Sequence, residues 1–320
     1  MMKYADMHCD TITELYRRKG SLLKNDLHND LQKMKQGECL LQNFAVFIDL
    51  SKDDSSFTRA AIDYYYQELE KNKELIRPVY AYADIEKNER EGLISALLTL
   101  EEGAVIDNDL NKLDWYYEKG VRMIALTWNY PNGIGYPNFD CNDPDYDRII
   151  YQINDRDGLT DFGIEYVRKM EELGMIVDVS HLSDKGFYDV LEYTHKPFVA
   201  SHSNARAICK VARNLDDEMI RLLAKRGGVM GLNYCSAFIE DRSTYTSIAG
   251  MVEHVRHIVN VGGIDCIGLG SDFDGISNDL EIKDASGMGK LYQALQEYYT
   301  EAEIAKIFHG NVLRVYQEAL

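Results

Sequence analysis

The chain contains no apolar run approaching the roughly 18 residues that span a membrane. Its first residues, Met1-Met2-Lys3-Tyr4-Ala5-Asp6, lack the apolar centre of a secretion signal, and its last, Val315-Tyr316-Gln317-Glu318-Ala319-Leu320, lack the hydrophobic tail that directs lipid anchoring. The expectation is a cytoplasmic protein with no membrane partner. Positive charge is also scarce, with 35 Lys and Arg against 53 Asp and Glu, a net charge of −18. A nucleic-acid backbone demands a basic surface, so nucleic acid is excluded as a partner, and the acidic excess reads as solvated surface. There is no Cys-x-x-Cys; the six cysteines at 9, 39, 141, 209, 235 and 266 are scattered, as expected of free, mostly buried thiols in a reducing compartment. No Gly-rich phosphate loop follows a strand, which argues against an open doubly wound sheet. No His-Glu-x-x-His occurs either. His254 and His257, three apart on a helix, are therefore read as structural, together with His28, His195 and His309.

What is present is alternation. Strand-like apolar runs occur at Tyr4–His8, Phe44–Ile48, Ile94–Leu100, Val121–Thr127, Met175–Ser180, Phe198–Ser201, Val229–Asn233 and Cys266–Ser271. Between them lie helical patterns: Thr58–Leu75, Asp161–Leu173 behind a capping Thr160, Ser183–Tyr193 behind a Ser cap, and Asp216–Lys225. Gly120, Gly174 and Gly227-Gly228 fall where helices should stop. Near-continuous apolar strands alternating with amphipathic helices make a parallel sheet buried on both faces, and eight such units predict a closed (β/α)8 TIM barrel of the metal-dependent hydrolase type. With 45% apolar residues and no linker or repeat, 1–320 is read as a single catalytic domain. One connection breaks the short-loop rule. After the fourth strand, 128–158 runs about thirty residues rich in Asn, Asp, Pro, Gly and Tyr, and it is read as a pocket wall or lid.

The strand ends carry the chemistry. The first ends in His8-Cys9-Asp10, the third in Glu101-Glu102-Gly103, the fifth in Asp178-Val179-Ser180-His181, the sixth in Ser201-His202-Ser203, and the eighth in Ser271-Asp272-Phe273-Asp274-Gly275. In a parallel barrel these all meet at one rim. Acids and imidazoles buried together are costly without a cation, so a metal site is expected there. Alternation turns Cys9 and Glu102 aside. Five ligands (His8, Asp10, Glu101, His181 and His202) exceed the three protein groups of an ordinary catalytic zinc and suggest two divalent ions, most simply zinc. Glu101 would bridge, with His8 and Asp10 on one ion and His181 and His202 on the other. A bridging water acidified to hydroxide would be the nucleophile, and Asp272 would accept its proton.

These motifs, with the closing Gly310-Asn311-Val312-Leu313-Arg314-Val315, resemble in order and spacing the membrane (renal-type) dipeptidase family of binuclear zinc, amidohydrolase-like barrels, and the resemblance covers nearly the whole chain. It implies a zinc-dependent dipeptidase tolerant of a D-residue on the C-terminal side, with the same five ligands. It also implies a substrate-binding and proton-moving Asp at Asp272 and an Arg for the substrate carboxylate at Arg213. From its neighbours alone, Arg213 would be read as a surface residue. The mammalian branch carries a His after the Leu-Thr of strand four, near the scissile carbonyl; here Leu126-Thr127 is followed by Trp128 and Asn129, both candidate substrate-binding residues, with Asn129 as the replacement hydrogen-bond donor. The alternative from the residues is a related barrel hydrolase acting on another small amide, ester or lactone. A metal-dependent binding protein that kept the barrel is the non-enzymatic reading. Homodimers are the commonest oligomers and supply the expectation for assembly.

Overall fold

The computed structural model describes residues 2–320. Eight parallel strands form the ring: β1 (Tyr4–Asp6), β2 (Cys39–Phe47), β3 (Ile94–Glu101), β4 (Val121–Ala125), β5 (Ile176–Asp178), β6 (Val199–Ala200), β7 (Val229–Leu232) and β8 (Ile267–Leu269). Each pairs with the next in chain order, and β8 closes on β1 through Asp6↔Leu269. This is the expected (β/α)8 barrel. Its strands are buried along their length because helices cover the outside and side chains fill the inside.

The helices expected from capping residues appear where the caps are. Thr160 accepts from Gly163 N ahead of Asp161–Leu173, Ser183 from Gly186 N ahead of Asp184–Tyr193, and Asp216 from Met219 N ahead of Asp217–Lys225. The helix expected at Thr58–Leu75 instead spans Ser55–Lys71. Asp54 caps it by accepting from Ser56 N and Phe57 N, and the chain after Asn72 turns into a short strand, Ile76–Pro78, against the start of β3. The second strand starts at Cys39, five residues before the apolar run that betrayed it. Gln42 and Asn43 interrupt the apolar pattern although both are fully buried.

Asn43 has its side-chain nitrogen satisfied inside the barrel, where Nδ2 donates to the Tyr316 hydroxyl at 2.6 Å. Tyr316 belongs to the C-terminal helix Asn311–Ala319, which packs Val312, Val315 and Tyr316 against Ala5, Met7, Leu97, Met123, Ile176, Val199 and Val229 of the strands. One mouth of the barrel is thus filled by an apolar plug from the chain itself.

The opposite mouth carries the long connection at 128–158, whose only regular element is the helix Tyr146–Ile149. Its start is held by Glu102, whose carboxylate accepts from Trp128 N (3.1 Å) and from Asn132 Nδ2 (2.5 Å). Farther along, Asn138 donates to Asp184 Oδ1 and to the Ala212 carbonyl, beside a bidentate Arg206–Asp184 pair. Among the described residues no helix is long and apolar enough to cross a membrane.

Candidate metal centre

Regular β1 pairing ends at Asp6, but the parallel contact with the segment after β8 continues through Cys9↔Phe273. His8 and Asp10 project from that extension, so their approach comes from the extension as well as from strand alternation. His8 Nε2 lies 3.3 Å from Asp10 Oδ2 and 3.3 Å from Glu101 Oε2. Glu101 closes β3 and shares an inward face with Leu97 and Thr99 by the period of two. Its other oxygen, Oε1, faces His181 Nε2 at 2.9 Å and His202 Nε2 at 3.6 Å. One carboxylate therefore presents one oxygen to each half of the site, and all five residues are buried.

His181 does not reach this point by alternation. Ile176 and Asp178 are inward positions, and His181 is of opposite parity. It adopts a left-handed backbone (φ 72°), which ends the alternation and directs its ring to Glu101. Glu102 (φ 106°) is turned away from the centre, as expected, and acts on the loop instead.

Hydrogen bonds fix the two imidazoles. His181 Nδ1 pairs with Asn129 Oδ1 at 2.7 Å. Ser201 Oγ donates to Asp178 Oδ2 at 2.5 Å, so it accepts from His202 Nδ1 at 2.7 Å. With both Nδ1 atoms acting as donors, the two Nε2 atoms face each other at 2.9 Å as lone pairs, beside a carboxylate oxygen. His8 Nε2 and Asp10 Oδ1 are buried without a hydrogen-bond partner. Converging imidazole nitrogens and carboxylate oxygens are the donor set of a divalent cation of the zinc type. The ligand atoms of His8, Glu101 and His202 lie within 4.8 Å of one another, as do those of His8, Asp10 and Asp272.

The electrostatics show the same need. At His181, burial and the Arg213 charge lower the pKa to about 4, and at His202 burial, His8 and Arg213 hold it well below the usual value. Both rings are neutral and able to coordinate. At Glu101, burial works against the charge, but His8, His181 and His202 outweigh it and hold the carboxyl well below the carboxylate range. At Asp10, burial and Glu101 raise the pKa to about 8. At His8, burial opposes the charge, yet Glu101 and Asp10 raise its pKa well above normal. Without a cation, the first half of the site balances itself only by holding protons that a dication would replace.

Asp272 follows β8 in a left-handed conformation (φ 62°). Asn233 Nδ2 holds its Oδ2 at 2.9 Å, and its Oδ1 lies 3.9 Å from His8 Nε2. Burial raises its pKa to about 6. Gly275 is required beside it, because a Cβ there would sit 2.3 Å from Asp10 Oδ2 and 2.6 Å from Asp272 Oδ1.

Arg213 is buried, contrary to what its neighbours in the chain suggest, with only 5% of its surface exposed. It donates to Ser203 Oγ (2.6 Å) and to the His202 carbonyl (2.9 Å), both uncharged, and its Nε has no partner. Its guanidinium stands over the Phe238 ring. Asn129 departs from the expectation of a carbonyl donor in one respect: its Oδ1 is engaged by His181 and orients a candidate ligand. Trp128 and Asn129 line a cavity of about 180 Å³ together with Asp10, Glu101, His181 and Asp272, and with Phe47, Cys235, Phe238, Gly275 and Ile276. Burial pushes the Cys235 thiol up to about 12, so it is a lining group rather than a nucleophile.

The membrane dipeptidase model (peptidase family M19) matches residues 1–320. The chain belongs to that family. It is a metallopeptidase, and its reaction is the hydrolysis of dipeptides. Among its relatives, an uncharacterized dipeptidase of Schizosaccharomyces pombe is 30% identical, across 91% of this chain and 72% of that protein. The crystal structure of the dipeptidase AC, a metallo peptidase of family M19, superimposes with a TM-score of 0.90 at 26% identity, covering 99% of this chain and 98% of that one. A metallo peptidase from Rhodobacter sphaeroides, solved with a phosphinate mimic of L-Ala-D-Ala, shares the fold with a TM-score of 0.89 at 23% identity, covering 100% and 99%.

Several residues of this M19 site were not singled out in the sequence. Asp6 accepts from Ser271 N and Oγ, tying the end of β1 to that of β8. Asp178 does the same for β5 and β6 by accepting from Ser201 N and Oγ. Asn233 and Ser203 hold Asp272 and Arg213. The available signal was an acid two or three positions before a candidate ligand, in Asp6-x-His8 and Asp178-x-x-His181.

Proposed function

We propose that this metallo-dipeptidase works with two divalent ions, zinc best suiting the donors. His8, Asp10 and Glu101 would hold one, and Glu101, His181 and His202 the other. The supporting observation is the division of Glu101, one oxygen facing His8 and the other facing the His181–His202 pair. When bound, such ions supply Lewis acidity toward the scissile carbonyl and an acidified water.

The chain's own residues do the remainder. Arg213, a buried cation with only uncharged partners, takes the substrate's free carboxylate through its guanidinium fork. Asp272, held by Asn233 at the cavity wall, accepts a proton and delivers it to the leaving amine. Asn129 and Ser201 keep His181 and His202 in the tautomer that leaves Nε2 open. Phe47, Trp128, Phe238 and Ile276 exclude water around the peptide. The phosphinate mimic of L-Ala-D-Ala held by the Rhodobacter structure supports acceptance of a D-residue on the C-terminal side. Six free cysteines, four of them buried, support a reducing compartment such as the cytoplasm.

The test is a panel of L–L and L–D dipeptides on zinc-loaded protein, each with a free and an amidated C-terminus. The free forms should be cleaved about 100-fold more efficiently, and Arg213→Ala should remove that advantage by lowering the rate on the free forms alone. Amidated substrates cleaved as fast as free ones by the unaltered protein would overturn the carboxylate clamp.

A further inference from the structure

Trp128 belongs to two spaces. It lines the inner cavity of about 180 Å³ described above. It also lines an outer groove of about 580 Å³, whose wall includes Leu50, Tyr130, Pro131 and Cys141, and no other residue is common to the two linings. Its indole stands between them as a wall. The inner space is below the roughly 300–1,000 Å³ of ordinary small-molecule pockets.

The wall is held on three sides. The Trp128 amide donates to the buried carboxylate of Glu102. The indole packs edge-on against Phe47, with ring centroids 5.0 Å apart, and against Tyr130 at 5.6 Å. Tyr130 is itself fixed to the segment after β2, its hydroxyl accepting from Leu50 N and donating to the Ile48 carbonyl. With its backbone anchored in this way, the indole cannot swing aside without losing its packing on Phe47 and Tyr130.

Strand order says which end of a dipeptide meets it. Arg213 and Phe238 follow β6 and β7, while Phe47 ends β2, across the ring from β6, and Trp128 follows β4 beyond β5. With the substrate carboxylate at Arg213 and the scissile carbonyl over Glu101, the N-terminal residue extends toward Phe47 and Trp128. We infer that Trp128 is the specificity-determining residue for the N-terminal position, limiting it to small and medium apolar side chains by closing the inner cavity from the outer groove. This rests on the dipeptidase reading, and the experiment separates the two.

Binding of phosphinate dipeptide mimics carrying Ala, Leu or Phe at the N-terminal position would be measured by calorimetry on zinc-loaded unaltered protein, Trp128→Phe and Trp128→Ala. The unaltered protein should favour Ala over Phe. Trp128→Ala should shift that ratio toward Phe by about tenfold or more, with Trp128→Phe between, because the larger side chain gains the groove while the Ala mimic loses little. The kcat/KM ratio of Phe-Ala to Ala-Ala should move in step. An equal loss for all three mimics would make Trp128 a scaffold residue and overturn the inference, as would an unchanged ratio. A shifted binding ratio without dipeptide turnover would overturn the functional reading and leave this inference standing. Failure of every mimic to bind would overturn both.

Discussion

The two mouths of the barrel are built from the same strands and treated in opposite ways. β3 sends Leu97 into the apolar plug at one mouth and Glu101 into the acid–imidazole cluster at the other, four residues apart on one face. At the plugged mouth, the connections entering β3, β4, β5, β7 and β8 turn through left-handed glycines: Gly92, Gly120, Gly174, Gly227 and Gly263. Glycine takes that conformation without steric cost. Glu38, entering β2, is left-handed there without being glycine; at the open mouth, left-handed residues beside the acid–imidazole cluster include Glu102, His181, Asp272 and Asp274. Each costs about 1 kcal/mol or more, a strain that persists where the surroundings over-determine it and that clusters at active sites. Glycine takes five of these turns at one mouth, while the other keeps ionisable side chains despite their backbone.

Tyr316→Ala should break the plug alone. It removes a fully buried ring and the partner of Asn43, so stability should fall by about 3–5 kcal/mol in denaturant unfolding. Metal content and kcat/KM of the folded fraction should be unchanged; a loss of metal would show that the two mouths are not independent. Ser201→Ala acts at the open mouth and should have a smaller effect. It removes the acceptor of His202 Nδ1, and zinc affinity should weaken by about 10–100-fold. Competition with a chelator would measure it, and unaltered affinity would mean that Ser201 does not orient His202.

The two mouths also differed in how far the sequence exposed them. His8, Asp10, Glu101, His181 and His202 were legible because each ends an apolar run, where an ionisable group is out of place. The eight strands were legible for the same reason. The groups that orient these five were not. Asp6 and Ser271 are 265 positions apart, and Asp178 and Ser201 are 23 apart; only ring closure and strand pairing make them partners. Arg213 and the early part of β2 failed in the opposite direction. A guanidinium in a connecting segment looked exposed, and Gln42 and Asn43 broke an apolar pattern, yet all three are buried: Arg213 donates back to Ser203 and the His202 carbonyl ten and eleven residues earlier, Gln42 donates to the Asn43 carbonyl, and Asn43 donates to Tyr316 of the C-terminal helix. Polarity in a local window reports exposure only when no distant partner satisfies the group.

In the two-ion reading proposed above, Glu101 joins the two ion sites. Titrating metal-free protein with zinc, with stoichiometry read by calorimetry and elemental analysis, tests it most directly. Two tightly bound ions per chain are expected in the unaltered protein, one in Asp10→Asn, where His181 and His202 still hold the second, and weakened binding at both sites in Glu101→Gln. A single ion in the unaltered protein, or two ions at full occupancy in Asp10→Asn with normal turnover, would contradict it.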